Sequence, residues 1–162
     1  MTRAYLAFTE KGLALAQKLA GGLPGTVDRC GHGGPSLADA LIFVGAVGIA
    51  VRAIAPHCRS KAVDPAVVVL DECGHFAVPI LSGHLGGAND LARALAAVCG
   101  AVPVITTATD ANGVFAVDAW ARHQNCAVLE PERIKRVSSR LLAGGPVRYR
   151  SEFPIAGQSP AG

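Results

Sequence analysis

Apolar positions along this chain come in two rhythms. Short unbroken runs at residues 5–8, 41–44, 66–70, 78–81 and 103–105 alternate with segments in which apolar residues recur every three or four positions. Unbroken runs suit strands buried on both faces, and 66–70, with three consecutive valines, suits the middle of a parallel sheet. The helical rhythm is clearest after residue 88: Leu91, Ala94, Leu95 and Val98 recur at i, i+3, i+4 and i+7, and Gly100 supplies a C-cap. Further helices are predicted over 10–20, stopped by Gly21, Gly22 and Pro24, and from Val47 to Ala55, with Val47, Val51 and Ile54 inward and Pro56 at the end. Another centres on Val117, Trp120 and Ala121, and a last one starts at Pro131 with Ile134, Val137, Leu141 and Leu142 on one face. Residues 26–28 read as a short strand, 31–35 as a glycine-rich loop, Gly74 as a hairpin-like return, and 147–149 as a final strand.

Strands alternating with helices predict an α/β fold, a three-layer, mostly parallel sheet with helices on both faces, Rossmann-like in plan. The 162 residues fit one domain or a domain with a small appendage. Residues 1–150 form the expected body, divisible into two small α/β subdomains. Residues 151–162, rich in Pro, Gly, Ser and Ala, read as a linker-like tail.

Charge changes this picture little. The net value is +3, and Arg133, Lys135, Arg136 and Arg140 share one predicted helix, where a solvated face explains them better than nucleic acid does. No window reaches the ~18 consecutive apolar residues of a membrane span, and the first residues lack a signal peptide's apolar stretch. Five cysteines without a regular framework read as reduced thiols, and a cytoplasmic location is expected.

The candidate chemistry gathers in the turn Ser82-Gly83-His84-Leu85-Gly86-Gly87-Ala88-Asn89, between a strand and a helix. Its glycines permit close approach by a ligand, and a helix start offers N–H groups and positive dipole to an anion. His84 suits acid/base chemistry near neutral pH, or a plain loop hydrogen bond. Ser82 does not sit in a G-x-S-x-G elbow, and nothing marks a Ser, His and Asp triad. A second polar cluster, Thr106, Thr107, Thr109 and Asp110, follows the strand at 103–105, and loops at strand carboxyl ends converge on one crevice in parallel sheets. Arg52, His57 and Lys61 suit ligand carboxylates or a solvated patch. Asp71 stands at the end of a buried strand, where it serves function or caps a turn. Cys30-Gly-His32 and Cys73-Gly-His75 do not supply the usual four-ligand zinc spacing, so a metal-binding structural protein is the remotest reading. Walker A and G-x-G-x-x-G patterns are both missing from the sequence.

Several long motifs stand in order: Gly45-Ala46-Val47-Gly48-Ile49-Ala50-Val51-Arg52-Ala53-Ile54-Ala55-Pro56-His57, Lys61, Asp64-Pro65-Ala66-Val67-Val68-Val69, the turn at 81–89, and Pro103-Val104-Ile105-Thr106-Thr107-Ala108-Thr109-Asp110. Through them the chain, from about residue 8 to 150, resembles the N-terminal and central regions of the CbiG family, cobalt-precorrin-5A hydrolases of anaerobic cobalamin biosynthesis. The resemblance implies a substrate, a cobalt-carrying tetrapyrrole with acetate and propionate side chains and a δ-lactone. It also implies a reaction, opening of the lactone by water with loss of acetaldehyde to give cobalt-precorrin-5B. On this reading no cofactor is needed, since the cobalt is carried by the substrate, and no protein-bound metal is expected. Catalysis is expected from His84, oriented by Asp71 or Asp110, with Gly86 and Gly87 serving the oxyanion. Substrate carboxylates fall to Arg52, His57, Lys61, Ser82, Gly83, Asn89, Thr106, Thr107 and Thr109. Many family members carry a further C-terminal domain that is not expected here, so the alternative is a corrinoid-binding module completed by a separate protein. Expected partners are the tetrapyrrole, a C-terminal-domain protein or other cobalamin-pathway enzymes, and a second copy in a homodimer. Nucleic acid and membrane are not expected.

Overall fold

In the computed structural model, residues 1–30 and 38–154 are described. The chain divides into two compact units, Met1–Ile105 and Thr106–Gly162. The first holds β1 (Arg3–Ala7), α1 (Glu10–Gly22), β2 (Thr26–Arg29), β3 (Ala40–Val44), α2 (Val47–Ile54), β4 (Ala66–Leu70), β5 (Phe76–Leu81), α3 (Ala88–Cys99) and β6 (Val102–Pro103). Their six-stranded sheet runs in the order β2-β1-β3-β4-β5-β6, parallel throughout except where β4 meets β5. The fold is α/β, as the alternating patterns predict. The loop expected at 31–35 lies outside the described residues.

Unbroken apolar runs bury both faces because successive side chains point to opposite sides. Tyr5, Ile42, Val68 and Leu70 face a core shared with Leu19 of α1 and Leu91 and Leu95 of α3. Leu6, Leu41, Phe43, Val67 and Val69 face the other side, where Ala50 of α2 is buried among them. One sheet face is thus covered by two helices and the other by α2, which at eight residues is about 12 Å long.

Three local readings are corrected by packing. First, α1 runs through Gly21 and Gly22 and closes at Leu23, whose N–H donates to the Leu19 carbonyl at 2.8 Å. Gly22 serves a close helix contact instead: a Cβ there would lie 2.8 Å from Val98 Cγ2. Second, α2 turns Ala50 and Ile54 to the sheet and leaves Val47 and Val51 exposed. Val51 is about 100° around the helix from Ala50, so one narrow stripe cannot bury both. Third, α2 ends at Ile54 rather than Ala55, and Pro56 sits inside a 3₁₀ segment, Ala55–His57, that follows it. The α3 prediction agrees with the structure, with Gly100 at φ 81° donating its N–H to the Ala96 carbonyl.

The β4–β5 hairpin is held by Asp71. Its carboxylate accepts the N–H groups of Cys73 at 3.0 Å, His75 at 2.9 Å and Phe76 at 2.8 Å. Burial works against its charge, but the N–H groups of Phe76, Cys73 and His75, with the His75 ring, outweigh burial and hold the carboxyl below its ordinary value of 3.8. A depressed folded value contributes stability that is present above the unfolded value and lost as pH falls through the folded one. Asp71→Ala is therefore expected to cost roughly 1–3 kcal/mol at neutral pH. That deficit should shrink in urea unfolding as the pH is lowered from neutral through the depressed folded value, below 3.8, where the wild-type carboxylate protonates. An equal deficit at both pH values would refute the assignment.

The second unit carries α4 (Ala108–Ala111), α5 (Val117–His123), a 3₁₀ segment at Pro131–Arg133 and α6 (Ile134–Leu142). Ile134 is buried, Val137 and Leu141 are half-buried, and Leu142 is exposed. Phe115 lies against Trp120 with ring centres 6.2 Å apart. The strand expected at 147–149 does not form: those residues are irregular and exposed.

Candidate functional site

The glycine turn follows β5, and β5 runs antiparallel to β4, pairing Leu81 with Val67. The turn therefore stands at the amino edge of the parallel strands, with Gly86 close against the N of Ala66. Asp71 stands at the opposite, carboxyl edge, after Leu70. Four strand steps at ~3.3 Å each separate Ala66 from Leu70, about 13 Å. Asp71 is thus too far away to orient His84, and the expectation of one crevice at the strand carboxyl ends is corrected with it.

Inside the turn three backbone N–H groups bond to the turn's own carbonyls. Gly87 N–H donates to the His84 carbonyl at 3.0 Å, Ala88 N–H to Ser82 at 3.1 Å, and Asn89 N–H to Gly83 at 3.0 Å. Gly87 takes the left-handed conformation, φ 83°, as the N-cap of α3. Three of the N–H groups expected to form an anion cradle, those of Gly87, Ala88 and Asn89, are spent on carbonyls, which corrects Gly87 as an oxyanion donor. Ser82 is a non-glycine residue at φ 54°, buried, with its hydroxyl donating to the Asp64 carbonyl at 2.9 Å. That hydroxyl ties the turn to the chain before β4 and is not presented as a nucleophile. His84 is half-buried and is the turn's titratable side chain, while Asn89 is buried at the start of α3.

Beside this turn, on the sheet face against which α2 packs, lies a cavity of about 150 Å³. Leu6, Leu41, Phe43 and Val67 floor it from the sheet, Ile54 and His57 wall it from α2 and its 3₁₀ extension, and Asp64 and Leu81 close the side next to Ser82. His57 is the member of the predicted basic set that lines it. Arg52 and Lys61 are exposed and are not among its lining residues. Sequence reasoning missed this cavity because its walls come from segments up to 75 residues apart, from Leu6 to Leu81. The available signal was indirect: strands apolar on both faces need cover on both, and α2 is short.

The Thr106–Asp110 cluster belongs to the second unit, where most of it is α4. Thr107 donates its hydroxyl to Asp110 at 2.6 Å, Thr106 is exposed, and Thr109 is buried. The Thr107 hydroxyl thus bonds a local side chain and does not cap the start of α4. At the carboxyl edge of the first unit, Asp71, Cys73 and His75 place potential metal-ligating atoms within 4.8 Å of one another. No helix among the described residues is long and apolar enough to cross a membrane.

Residues 36–110 match a family model described as Cobalamin synthesis G N-terminal. The chain is similar to a cobalt-precorrin-5A hydrolase of Salmonella typhimurium, 50% identical over 103 residues, which is 64% of this chain and 29% of that protein. It is also similar to a cobalt-precorrin-5A hydrolase of Priestia megaterium, 40% identical over 111 residues, 67% of this chain and 30% of that protein. The matched region thus spans under a third of those relatives' length. A solved cobalamin biosynthesis protein G homolog from Sulfolobus solfataricus superposes with a TM-score of 0.61 at 24% identity, covering 94% of this chain and 51% of that one, a likeness of fold.

Proposed function

We propose that this chain, through its residues 36–110, is a member of the CbiG family, binds cobalt-precorrin-5A and takes part in hydrolysis of its δ-lactone. The observation that carries the reading is where the family segment falls. It includes α2, β4 and β5, hence most of the cavity wall, and the whole turn at 82–89. An apolar cavity beside a polar turn suits one edge of a tetrapyrrole, whose ring is apolar and whose rim carries carboxylates. His57 at the cavity, with the exposed Arg52 and Lys61 before and after it in the chain, supplies positive or hydrogen-bonding partners for those carboxylates.

In the reaction, water adds to the lactone carbonyl, the ring carbon–oxygen bond breaks, and the ring oxygen leaves as an alcohol after taking a proton. The alcohol then loses its O–H proton as its carbon–carbon bond cleaves, the oxygen becoming the carbonyl of the released acetaldehyde and the bonding electron pair passing to the macrocycle carbon left behind. His84 takes the proton from the attacking water and returns one to the leaving oxygen. We assign the chain to the cytoplasm; its five cysteines are free thiols, the state a reducing compartment maintains.

The test is incubation of the purified chain with cobalt-precorrin-5A, following acetaldehyde and the corrinoid product. Acetaldehyde release supports the reading. Tight binding without release reduces the chain to a corrinoid-binding module, and neither binding nor release overturns both. A second variant locates the ligand. Ala53 lines the cavity from the exposed side of α2, so Ala53→Trp should fill the mouth without disturbing the core. Corrinoid affinity, followed by absorbance, is expected to fall at least tenfold, about 1.4 kcal/mol. Unchanged affinity would move the ligand elsewhere.

A further inference from the structure

We propose that the β4–β5 turn binds one divalent cation of the zinc class through Asp71, Cys73 and His75. This goes beyond the hydrolase reading, and it concerns the sheet edge opposite the glycine turn. The three residues stand at i, i+2 and i+4, a spacing with no standing as a zinc motif, and only the hairpin brings them together. Their ligand atoms lie within 4.8 Å of one another, and His75 Nδ1 is 3.5 Å from Asp71 Oδ1. Ligands bound at 2.0–2.3 Å around one tetrahedral ion are separated by roughly 3.5 Å, so rotation of the exposed His75 and Cys73 side chains suffices to close the set.

The donor set is chemically mixed. A thiolate, an imidazole and a carboxylate together suit zinc or cobalt(II) and disfavour magnesium or calcium, which take oxygen ligands. Asp71 is pinned in place by its bonds to Cys73, His75 and Phe76. Its Oδ1 accepts only one of those N–H groups, which leaves a lone pair on the His75 side. Three protein ligands leave a fourth position for water. The sulfur already attracts a positive group: Lys11 Nζ, from the first turn of α1, stands 2.9 Å from Cys73 Sγ. A bound cation must displace that ammonium, so Lys11 opposes the metal, and removing its charge should tighten binding.

Cobalt(II) is titrated into the whole chain and read by absorbance, with zinc competition to rank the two. The expected result is one equivalent bound with a thiolate-to-cobalt charge-transfer band. Cys73→Ser should abolish the band, His75→Ala should weaken binding at least tenfold, and Lys11→Met should strengthen it. Cys30→Ser and Cys58→Ser should retain both band and affinity. Because Cys73 and His75 are exposed, their variants keep the fold, which far-ultraviolet circular dichroism checks. Absence of saturable binding overturns the proposal, and so does a band that survives Cys73→Ser or disappears in Cys30→Ser.

Discussion

His84→Ala is expected to abolish measurable hydrolysis, lowering turnover by roughly 10²–10⁴-fold, the usual contribution of one positioned acid/base group. Alanine keeps the backbone bond that closes the turn, in which the residue 84 carbonyl accepts the Gly87 N–H at 3.0 Å. Urea unfolding and corrinoid binding, measured beside turnover, separate the imidazole's chemistry from its part in the fold. Corrinoid affinity should also persist if binding rests on the cavity. Loss of turnover with fold and affinity intact assigns chemistry to the imidazole. Retained turnover removes His84 from the mechanism, and collapse of the fold would show that its role in the turn is structural.

Gly86→Ala is expected to destabilise the first unit by roughly 2–3 kcal/mol, the cost of forcing atoms into a site that cannot give way. A Cβ at residue 86 would overlap Ser82 Cβ, lie 2.8 Å from the Ser82 carbonyl oxygen and reach 3.4 Å from Ala66 N. Ser82 cannot retreat easily, because it is held at φ 54° with its hydroxyl on Asp64 and its carbonyl on the Ala88 N–H. Gly21→Ala supplies the contrast. It lies inside α1 with nothing within 4 Å of an added Cβ, so alanine should stabilise by roughly 0.5–1 kcal/mol through helix propensity. Equal effects at the two positions in denaturant melts would contradict the steric account.

These results bear on how far pattern reading reaches. The runs at 41–44 and 66–70 predict buried strands correctly because continuous apolar sequence suits a strand covered on both faces. The helix at 88–99 is legible because its periodicity and its glycine C-cap act within a few residues. Val47 and Val51 mislead because α2 is short and the sheet below it accepts only Ala50 and Ile54. The return at Gly74 is visible in the sequence, yet its consequence for the site is not. Reversing one strand carries the glycine turn to the amino edge and leaves Asp71 at the carboxyl edge.

By itself, then, the sequence determined the α/β class, the strands of the sheet, the glycine cap of α3, the glycine turn as a distinct feature, and the resemblance that the family match supports. Each depends on residues that are near neighbours along the chain or that recur as an ordered motif. The tertiary structure alone decided that the N–H groups of Gly87, Ala88 and Asn89 are spent on the turn's own carbonyls, that a cavity opens beside α2, and that Asp71, Cys73 and His75 meet while Asp71 and His84 do not. Strand direction and the pairing of residues far apart in the chain fix those distances, and local pattern carries neither.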